Sequence, residues 1–159
     1  MKSKFSILIT TSLALIALDL VTKFYIHSSF QLSESVTVIP NFFSFTYVRN
    51  FGAAFGFLAQ SHEEFRKVFF AIMPPFACLI IFLILRKVPD NNRIKIYALS
   101  SIMGGALANY INRMYLGYVV DFFDLHFYSK YTWPTFNIAD IAIVCGVGIL
   151  LSRLKTETE

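Results

Sequence analysis

The chain has 159 residues, of which 56% are hydrophobic and only 15% are charged, and its mean hydropathy is +0.59. Soluble domains are about 45–50% apolar and about 25% charged, so this composition excludes a disordered chain and argues against a soluble domain. The net charge of +4 is too small to indicate a nucleic-acid-binding protein, and the length suits one compact domain over residues 1–159. We therefore expect a single integral membrane domain.

Four apolar stretches are candidates for membrane-spanning helices, and they cover about residues 5–26, 68–85, 96–112 and 136–151. A helix rises about 1.5 Å per residue, so stretches of this size approach or exceed the roughly 30 Å of a hydrocarbon core. The second stretch contains Pro74 and Pro75, which membrane helices tolerate where neighbouring groups satisfy the freed backbone atoms. We predict an α-helical protein with four transmembrane helices.

The first stretch could instead be a cleaved signal peptide, because Lys2 and Lys4 precede an apolar run. Against this interpretation, the run is long, Asp19 and Lys23 interrupt its end, and no small-x-small cleavage site follows it. We therefore expect it to be a retained membrane helix.

The segment between the first two stretches is predicted to form a small β-rich platform, within about residues 35–60. Ser35–Asn50 is rich in Val, Thr, Phe and Tyr with partial alternation, and Pro40–Asn41 interrupts it, which is typical of two or three short strands. Further on, Ser61–Glu64 has the pattern of a capping box, which predicts a short helix that leads into the second span.

The positions of the basic residues predict the orientation of the helices. Eight fall in the amino-terminal end, the loop after the second stretch and the carboxy-terminal tail: Lys2, Lys4, Arg86, Lys87, Arg93, Lys95, Arg153 and Lys155. The two long connections, about 27–67 and 113–135, carry only Arg49, Arg66, Lys67, Arg113 and Lys130. The positive-inside rule then places both termini in the cytoplasm and both connections outside. Aromatic residues typical of a membrane interface lie near the outer ends: Tyr25, Tyr110, Tyr115, Tyr118 and Trp133.

Three acidic residues, Asp19, Asp121 and Asp140, lie within or beside these helices. A carboxylate is costly in a bilayer, so each is a candidate functional residue. Counted along straight helices, Asp19, Asn109 and Asp140 lie about 20–22 Å from the cytoplasmic ends, in the outer part of the hydrocarbon core. Asp121 lies beyond Asn109 in the chain, so a bend near Gly117 is needed to return it to that depth.

Each acid also has a purely structural interpretation. Asp19 and Lys23 are spaced i, i+4 and can neutralise each other. Asp140 follows Asn137 by three residues, as in a helix N-cap with an acidic first turn. Asp121 could be an exposed loop acid.

The neighbouring polar and small residues have structural alternatives too. We expect Asp124 to be an exposed loop acid, and Asn50 with Gly52 could form only a turn. Small side chains in the third helix are expected to let it pack closely on a neighbour: Gly104, Gly105 and Ala108.

Two carboxylates within a few ångströms of each other share one proton, because both cannot ionise together. The ionised carboxylate can act as a general base on water, while the protonated one polarises a carbonyl and later returns a proton. This is aspartic peptide-bond hydrolysis, and it needs neither metal nor cofactor.

Other hydrolytic chemistries do not fit the residues. The segment His62–Arg66 has an arginine where the second histidine of H-E-x-x-H belongs, and His27 and His126 complete no metal-ligand pattern. A serine protease needs a base, and none of the four stretches contains a histidine. His27 lies just beyond the first stretch. No phosphate-binding loop or dinucleotide motif occurs.

Five motifs occur in order along the chain: Asp19-Leu-Val-Thr-Lys23, Asn50-Phe-Gly-Ala-Ala-Phe-Gly56, Gly104-Gly-Ala-Leu-Ala-Asn109-Tyr-Ile-Asn-Arg113, Gly117-Tyr-Val-Val-Asp121-Phe and Trp133-Pro-Thr-Phe-Asn137-Ile-Ala-Asp140. Together with the length and the four predicted spans, this ordered set resembles bacterial lipoprotein signal peptidase, or signal peptidase II. The match covers most of the chain. Any one motif is weak, but the ordered set is highly specific.

The resemblance implies an aspartic membrane peptidase with an extracytoplasmic β-cradle and a short amphipathic helix beside it. Such an enzyme cleaves prolipoproteins just before a cysteine that carries diacylglycerol, and globomycin-type cyclic peptides inhibit it. By motif, Asp121 and Asp140 are the catalytic dyad, and the residues that line the site or bind substrate are Asn50, Gly52, Asn109, Arg113 and Asn137. Asp19 is a supporting family position, with Lys23 and Asn112 beside it. We expect a monomer in the bacterial inner membrane, with the site near the outer leaflet.

The chain departs from the family pattern at two positions. Where the family generally has Gly-Asn-x-x-Asp-Arg, this chain has Ala108 before Asn109 and Asn112 before Arg113. Asn112 lacks the usual charge, so we expect Arg113 to lack an acidic partner, and Ala108 adds a methyl group at a helix contact.

Two other functions fit parts of the pattern. Buried Asp, Asn and Arg also suit a small ion-coupled transporter, but four spans without inverted repeats argue against it. A non-catalytic assembly factor leaves the outer acids unexplained, and the Gly-x-Gly-Asp motif of presenilin-like proteases is absent.

Within the dyad, the amino end of the fourth helix favours an ionised Asp140, which makes it the preferred base.

Overall fold

The computed structural model describes residues 3–53, 57–58, 60–127 and 131–156. Its four helices are α1 (Lys4–Ser29), α2 (Glu63–Lys87), α3 (Arg93–Leu116) and α4 (Ile138–Thr156). Two strands, β1 (Ser35–Ile39) and β2 (Phe43–Asn50), lie between α1 and α2. Two more, β3 (Val119–Phe127) and β4 (Tyr131–Thr132), lie between α3 and α4. A helix therefore covers each of the four apolar stretches.

Local side-chain and glycine signals set the helix ends. The hydroxyl of Ser3 accepts a hydrogen bond from the backbone N–H of Ser6 at the start of α1, and Asn92 caps α3 in the same way through Lys95. α3 ends at Gly117, whose φ of +81° is a left-handed conformation that favours glycine. The chain reverses direction there.

α3 packs between α1 and α4. A Cβ atom at Gly104 would lie 3.0 Å from the Cα atom of Ser12 in α1, and one at Gly105 would overlap the carbonyl oxygen of Ala139 in α4. The side chain of Ala108 is fully buried. The prediction that these small residues allow close helix packing is confirmed.

The strands form one antiparallel sheet in the order β1-β2-β3-β4, with Val48 of β2 opposite Asp121 of β3. Tyr47, Val120 and Phe122 on one face pack against Ile26 near the outer end of α1. Of the two or three short strands predicted within Ser35–Asn50, the structure has two, and Asn41 between them has a φ of +60°. The other end of the predicted platform, residues 54–56 and 59, lies outside the described residues, as do Lys2 and Lys130.

The helices present large apolar side chains outward. Leu13, Val21 and Phe24 of α1 and Val144 of α4 are each more than 60% exposed. Among the described residues, α1 and α2 are long and apolar enough to cross a membrane by length and composition alone. Outward apolar side chains of this size indicate contact with lipid.

Two expectations for the outer segments are wrong. Ser61 is not a helix cap, and the described residues contain no separate short helix before the second span. Instead α2 begins at Glu63, after a His62 N-cap that makes no side-chain capping bond, and continues unbroken through Pro74 and Pro75. The 113–135 connection contains β3, whose residues pair with β2.

Candidate active site

Asp121 reaches the site because the chain turns back after α3. Gly117 ends the helix, and β3 then carries Asp121 back along β2. The side-chain oxygen of Asn112 accepts a hydrogen bond of 2.8 Å from the backbone N–H of Val120, which fixes the start of the strand. The bend predicted near Gly117 is confirmed. Asp121 is 2% exposed, so the alternative of an exposed loop acid is wrong.

Asp140 lies in the first turn of α4, where it and Asn137 cap the helix reciprocally. The side-chain oxygen of Asn137 accepts from the backbone N–H of Asp140 at 3.0 Å, and the carboxylate of Asp140 accepts from the backbone N–H of Asn137 at 3.2 Å. This is the N-cap that the spacing predicted.

Asn137 also connects the two acids. Its side-chain amide donates to Oδ1 of Asp121 at 2.6 Å, while its backbone N–H donates to Oδ2 of Asp140. One fully buried residue therefore binds both carboxylates. Asp121 from β3 and Asp140 from α4 consequently line the same site.

Two further side-chain amides bind the oxygen of each carboxylate that Asn137 does not bind. Asn50 donates to Oδ2 of Asp121 at 2.9 Å, and its own oxygen accepts from the backbone N–H of Gly52. Asn109 donates to Oδ1 of Asp140 at 2.9 Å. The turn at Asn50 and Gly52 exists as the structural alternative predicted, and it orients an amide that contacts Asp121.

Asp19 and Lys23 form the predicted i, i+4 ion pair, at 2.6 Å, and both are at most 1% exposed. The pair also contacts the rest of the site. Asp19 accepts a hydrogen bond of 2.9 Å from the backbone N–H of Ala139, and Lys23 donates to the side-chain oxygen of Asn109 at 2.6 Å. The ion pair of α1 is therefore bonded to both α3 and α4.

Arg113 is held by a carbonyl and an aromatic ring. Its guanidinium donates to the backbone oxygen of Gly52 at 2.5 Å and lies 4.1 Å from the ring centre of Phe70 in α2. The side-chain oxygen of the neighbouring Asn112 accepts its hydrogen bond from the backbone N–H of Val120. Within the described part of the chain, no carboxylate lies within ion-pair distance of Arg113.

Burial and charge repulsion shift the ionisation of Asp121. Burial, and after it the neighbouring charge of Asp140, raise the pKa of its carboxyl to about 7. Hydrogen bonds from Asn50 and Asn137 oppose this shift without cancelling it. Asp121 is thus able to hold a proton at neutral pH.

Asp124, expected to be an exposed loop acid, lies within β3 and its side chain is only 17% exposed. It accepts a hydrogen bond of 2.8 Å from the hydroxyl of Thr46. The expectation is wrong because residues 119–127 pair with β2, which places Asp124 opposite Ser44 in the sheet.

Three contacts of the site had no signal in the sequence. Phe70 under Arg113, the Ala139 N–H bound by Asp19, and the bond from Lys23 to Asn109 each join residues from different helices. Spacing within one helix cannot predict such pairs.

The arrangement has the parts that hydrolysis by two carboxylates needs. It has a buried Asp121 that is able to hold a proton, a half-buried Asp140 on the same site, and amide donors that orient both. Among the described residues, no group of three or more His, Cys, Asp or Glu side chains is arranged to hold a metal ion. The same site could hold a water between the carboxylates and accept a peptide carbonyl beside it.

Comparison with known proteins agrees with this chemistry. Residues 11–155 match the sequence model of the family described as Signal peptidase (SPase) II. A lipoprotein signal peptidase of Syntrophotalea carbinolica is 42% identical over 149 residues, covering 94% of this chain and 91% of the relative. One of Haemophilus influenzae is 43% identical over 157 residues, covering 98% and 90%.

Two solved structures share the fold. One, described as "Bacterial membrane enzyme structure by the in meso method at 2.3 A resolution", has a TM-score of 0.86 and 32% identity, and the match covers 96% of this chain and 89% of that one. The other, described in the same words at 1.9 A resolution, has a TM-score of 0.82 and 31% identity over 92% of this chain and 91% of that one.

Proposed function

The chain belongs to the signal peptidase II family, and on that premise we propose that Asp121 and Asp140 are the catalytic dyad of its activity. The enzyme is a lipoprotein signal peptidase, which removes the signal peptide from prolipoproteins. The observation that carries the proposal is the single residue Asn137, which hydrogen-bonds to both carboxylates.

The two acids take different roles in the proposed mechanism. Asp121 holds the shared proton, because burial and the charge of Asp140 raise its pKa to about 7. Asp140 is the base, since Asn109 and the backbone N–H of Asn137 donate to its carboxylate and stabilise the negative charge. The same assignment follows from the position of Asp140 in the first turn of α4.

Hydrolysis then proceeds without a covalent intermediate. Asp140 removes a proton from water, the oxygen attacks the scissile carbonyl carbon, and Asp121 gives its proton to the carbonyl oxygen. In the second step the C–N bond breaks, Asp140 gives a proton to the leaving amine, and Asp121 takes one back from the geminal diol. The pair returns to its starting state, with one proton on Asp121.

The remaining polar residues bind and orient the substrate. Asn50 and Gly52 lie beside Asp121 with Arg113, Asn109 lies beside Asp140, and Asn137 lies between the two acids. The N–H of Gly52 donates to the side chain of Asn50, and the carbonyl oxygen of Gly52 accepts from Arg113. These two bonds hold residues 50–52 in place, which supports a role for this segment in binding the substrate backbone. Globomycin-type cyclic peptides would occupy the same space.

We place this site near the outer leaflet of the bacterial inner membrane, in a single domain with four transmembrane helices and both termini in the cytoplasm. Basic side chains gather at the opposite end from the site, where Lys4 donates to the backbone oxygens of Arg86 and Val88. Tyr25 and Tyr115, at the end that carries the sheet, are 63% and 86% exposed, as suits residues at a lipid interface.

α1 is retained in this proposal and is not a cleaved leader. Its Ser12 hydroxyl donates to the backbone oxygen of Ser100 in α3, and its Asp19 and Lys23 are part of the site. Loss of α1 would remove these bonds and expose the close-packed face of α3.

The substrate approaches through the bilayer in this account. A signal helix and a diacylglyceryl cysteine are both apolar, so the scissile bond would lie near the outer headgroups, at the depth of the dyad. We propose that a monomer suffices, because one chain supplies both acids and all the amides that bind them. Membrane lipid covers the outward apolar faces of the helices.

The test of the dyad is to change each acid to its amide. We expect Asp121→Asn and Asp140→Asn each to reduce cleavage of a diacylglyceryl-modified prolipoprotein by at least about 1,000-fold, because general acid–base catalysis alone contributes about 100- to 10,000-fold. Cleavage is followed by gel shift in detergent, and folding by the thermal unfolding midpoint.

The matched control is Asp124→Asn in the same strand. Asparagine can still accept from Thr46, so activity is expected to stay within about threefold of the wild type. If Asp121→Asn or Asp140→Asn is folded and still turns over substrate at a comparable rate, the dyad assignment is wrong.

A further inference from the structure

Lys23 is a buried cation that has no task in the mechanism above. Its side chain is 1% exposed, and its ammonium contacts Asp19 one turn away in the same helix. An ammonium has three donors, so this ion pair leaves two of them to be satisfied. One of these two donors forms a hydrogen bond of 2.6 Å from Nζ of Lys23 to Oδ1 of Asn109 in α3.

The amide of Asn109 can point in two ways, and its neighbours decide which. Its oxygen accepts from Lys23 and, at 3.2 Å, from the side-chain amide of Asn137. Its nitrogen then donates to Oδ1 of Asp140. Because an ammonium can only donate, Lys23 requires an oxygen in this place. A reversed amide would bring N–H groups against two donors and its oxygen against a carboxylate.

We infer that Lys23 is a positioning residue that acts through Asn109, holding the N–H group of that amide against the carboxylate of Asp140. The inference rests on the proposed role of Asp140 as the base. Asn109 and the backbone N–H of Asn137 each bind one oxygen of Asp140, so together they fix the rotation of the carboxylate. Its remaining lone pairs then face the water that it activates.

Asp19 makes this arrangement possible. It neutralises Lys23, so the cation can be buried beside the dyad, and it binds the backbone N–H of Ala139, next to Asp140. Removing Lys23 alone would leave the carboxylate of Asp19 buried without a counter-charge, which is strongly destabilising. Asparagine at position 19 keeps an acceptor for Ala139 and carries no charge.

The test is therefore the double variant Asp19→Asn/Lys23→Met, assayed with a diacylglyceryl-modified prolipoprotein. We expect kcat to fall about 10- to 100-fold while KM stays within about twofold, because a misplaced base slows chemistry without weakening substrate binding. The matched structural control is Ser12→Ala, which removes another buried polar contact between α1 and α3. It should lower the unfolding midpoint and leave kcat unchanged.

A folded double variant with the kcat of the wild type, or with an unchanged kcat and a raised KM, overturns the inference. If the double variant does not fold, Lys23→Arg decides, since arginine keeps the charge beside Asp19 but replaces the compact ammonium by a planar fork. We expect a lowered kcat with an unfolding midpoint near that of the wild type, and an unchanged kcat would again overturn the inference.

The two proposals fail in different ways. If Asp140→Asn remains active, the dyad is wrong whatever the Lys23 variants do. If Asp140→Asn is inactive and the double variant is fully active, only the inference about Lys23 is wrong.

Discussion

Three asparagine side chains hold the two carboxylates of the site. Asn50 and Asn137 bind Asp121, and Asn109 binds Asp140. Neutral amides donate hydrogen bonds without adding charge, so they orient the acids and still allow the pair to keep one proton. A lysine or arginine in their place would favour two ionised carboxylates and so remove the acid that the reaction needs.

The raised pKa of Asp121 predicts the pH dependence of the reaction. Since burial raises this pKa to about 7, we expect kcat to fall about tenfold per pH unit above that value, as the acid loses its proton. The measurement is kcat at saturating substrate against pH. A kcat that stays constant from about pH 6 to about pH 9 would contradict the assignment of Asp121 as the acid.

The same shift has a consequence for stability. In the unfolded chain Asp121 loses its proton near pH 4, whereas in the folded protein it keeps it up to about pH 7. The free energy of unfolding therefore falls as pH rises between these values and levels off above them. Asp121→Asn removes this contribution, so its unfolding midpoint should rise relative to that of the wild type over the same interval.

At the scale of elements, the contact between α3 and α4 sets the position of Asp140. Gly105 lies against the carbonyl oxygen of Ala139, and a Cβ atom there would also lie 2.8 Å from Ile143. Helices α3 and α4 can therefore approach this closely only because residue 105 has no side chain. The first turn of α4, with Asp140, is placed by that approach.

We expect Gly105→Ala to destabilise the protein by about 1–3 kcal/mol and to lower kcat at least about tenfold, because the new methyl group moves the first turn of α4 away from α3. The control is Gly148→Ala in α4, where a Cβ atom meets nothing within 4 Å. That variant should be as stable as the wild type or slightly more so. Equal kcat values for both variants and the wild type would show that this contact does not position Asp140.

The elements differ in how far the sequence predicts them. Long apolar runs identify the four helices, and the Val- and Thr-rich segment with Pro40 identifies β1 and β2, because each pattern is local. Gly117 marks the end of α3 for the same reason. β3 was missed because its pairing with β2 depends on residues about 70 positions away in the chain, such as Val48 and Asp121.

In the site, too, the sequence predicts local contacts but not contacts between distant residues. The spacing of Asp19 with Lys23 and of Asn137 with Asp140 predicts contacts inside one helix, and both contacts occur. Bonds between helices, such as Lys23 to Asn109, leave no periodic pattern. The resemblance to the family's ordered motifs predicts that these residues share one site. Which of them donates a hydrogen bond to which follows only from the three-dimensional arrangement.

At the scale of the whole molecule, the charges and the sheet give the protein two different ends. We expect both termini to be cytoplasmic and the sheet to lie outside. Single cysteines introduced into a variant lacking Cys78 and Cys145 test this with a thiol reagent that does not cross membranes. Gln31→Cys, at the sheet end, should react in intact spheroplasts, and Asn91→Cys, in the basic loop, only after permeabilisation.

Both positions are exposed in the folded chain, so a difference in labelling reports the side of the membrane rather than burial. Labelling of Asn91→Cys in intact spheroplasts would show that the orientation is the opposite one, with the dyad near the inner leaflet.

The central claim is that Asp121 and Asp140 act as one unit on one water. The most direct measurement compares the single-turnover cleavage rates of Asp121→Asn, Asp140→Asn and the double variant with that of the wild type. Because residues that act as a unit lose their function together, we predict that the double variant is slower than either single variant by less than about tenfold. Losses that multiply in the double variant would contradict the claim, since they would show two acids working independently.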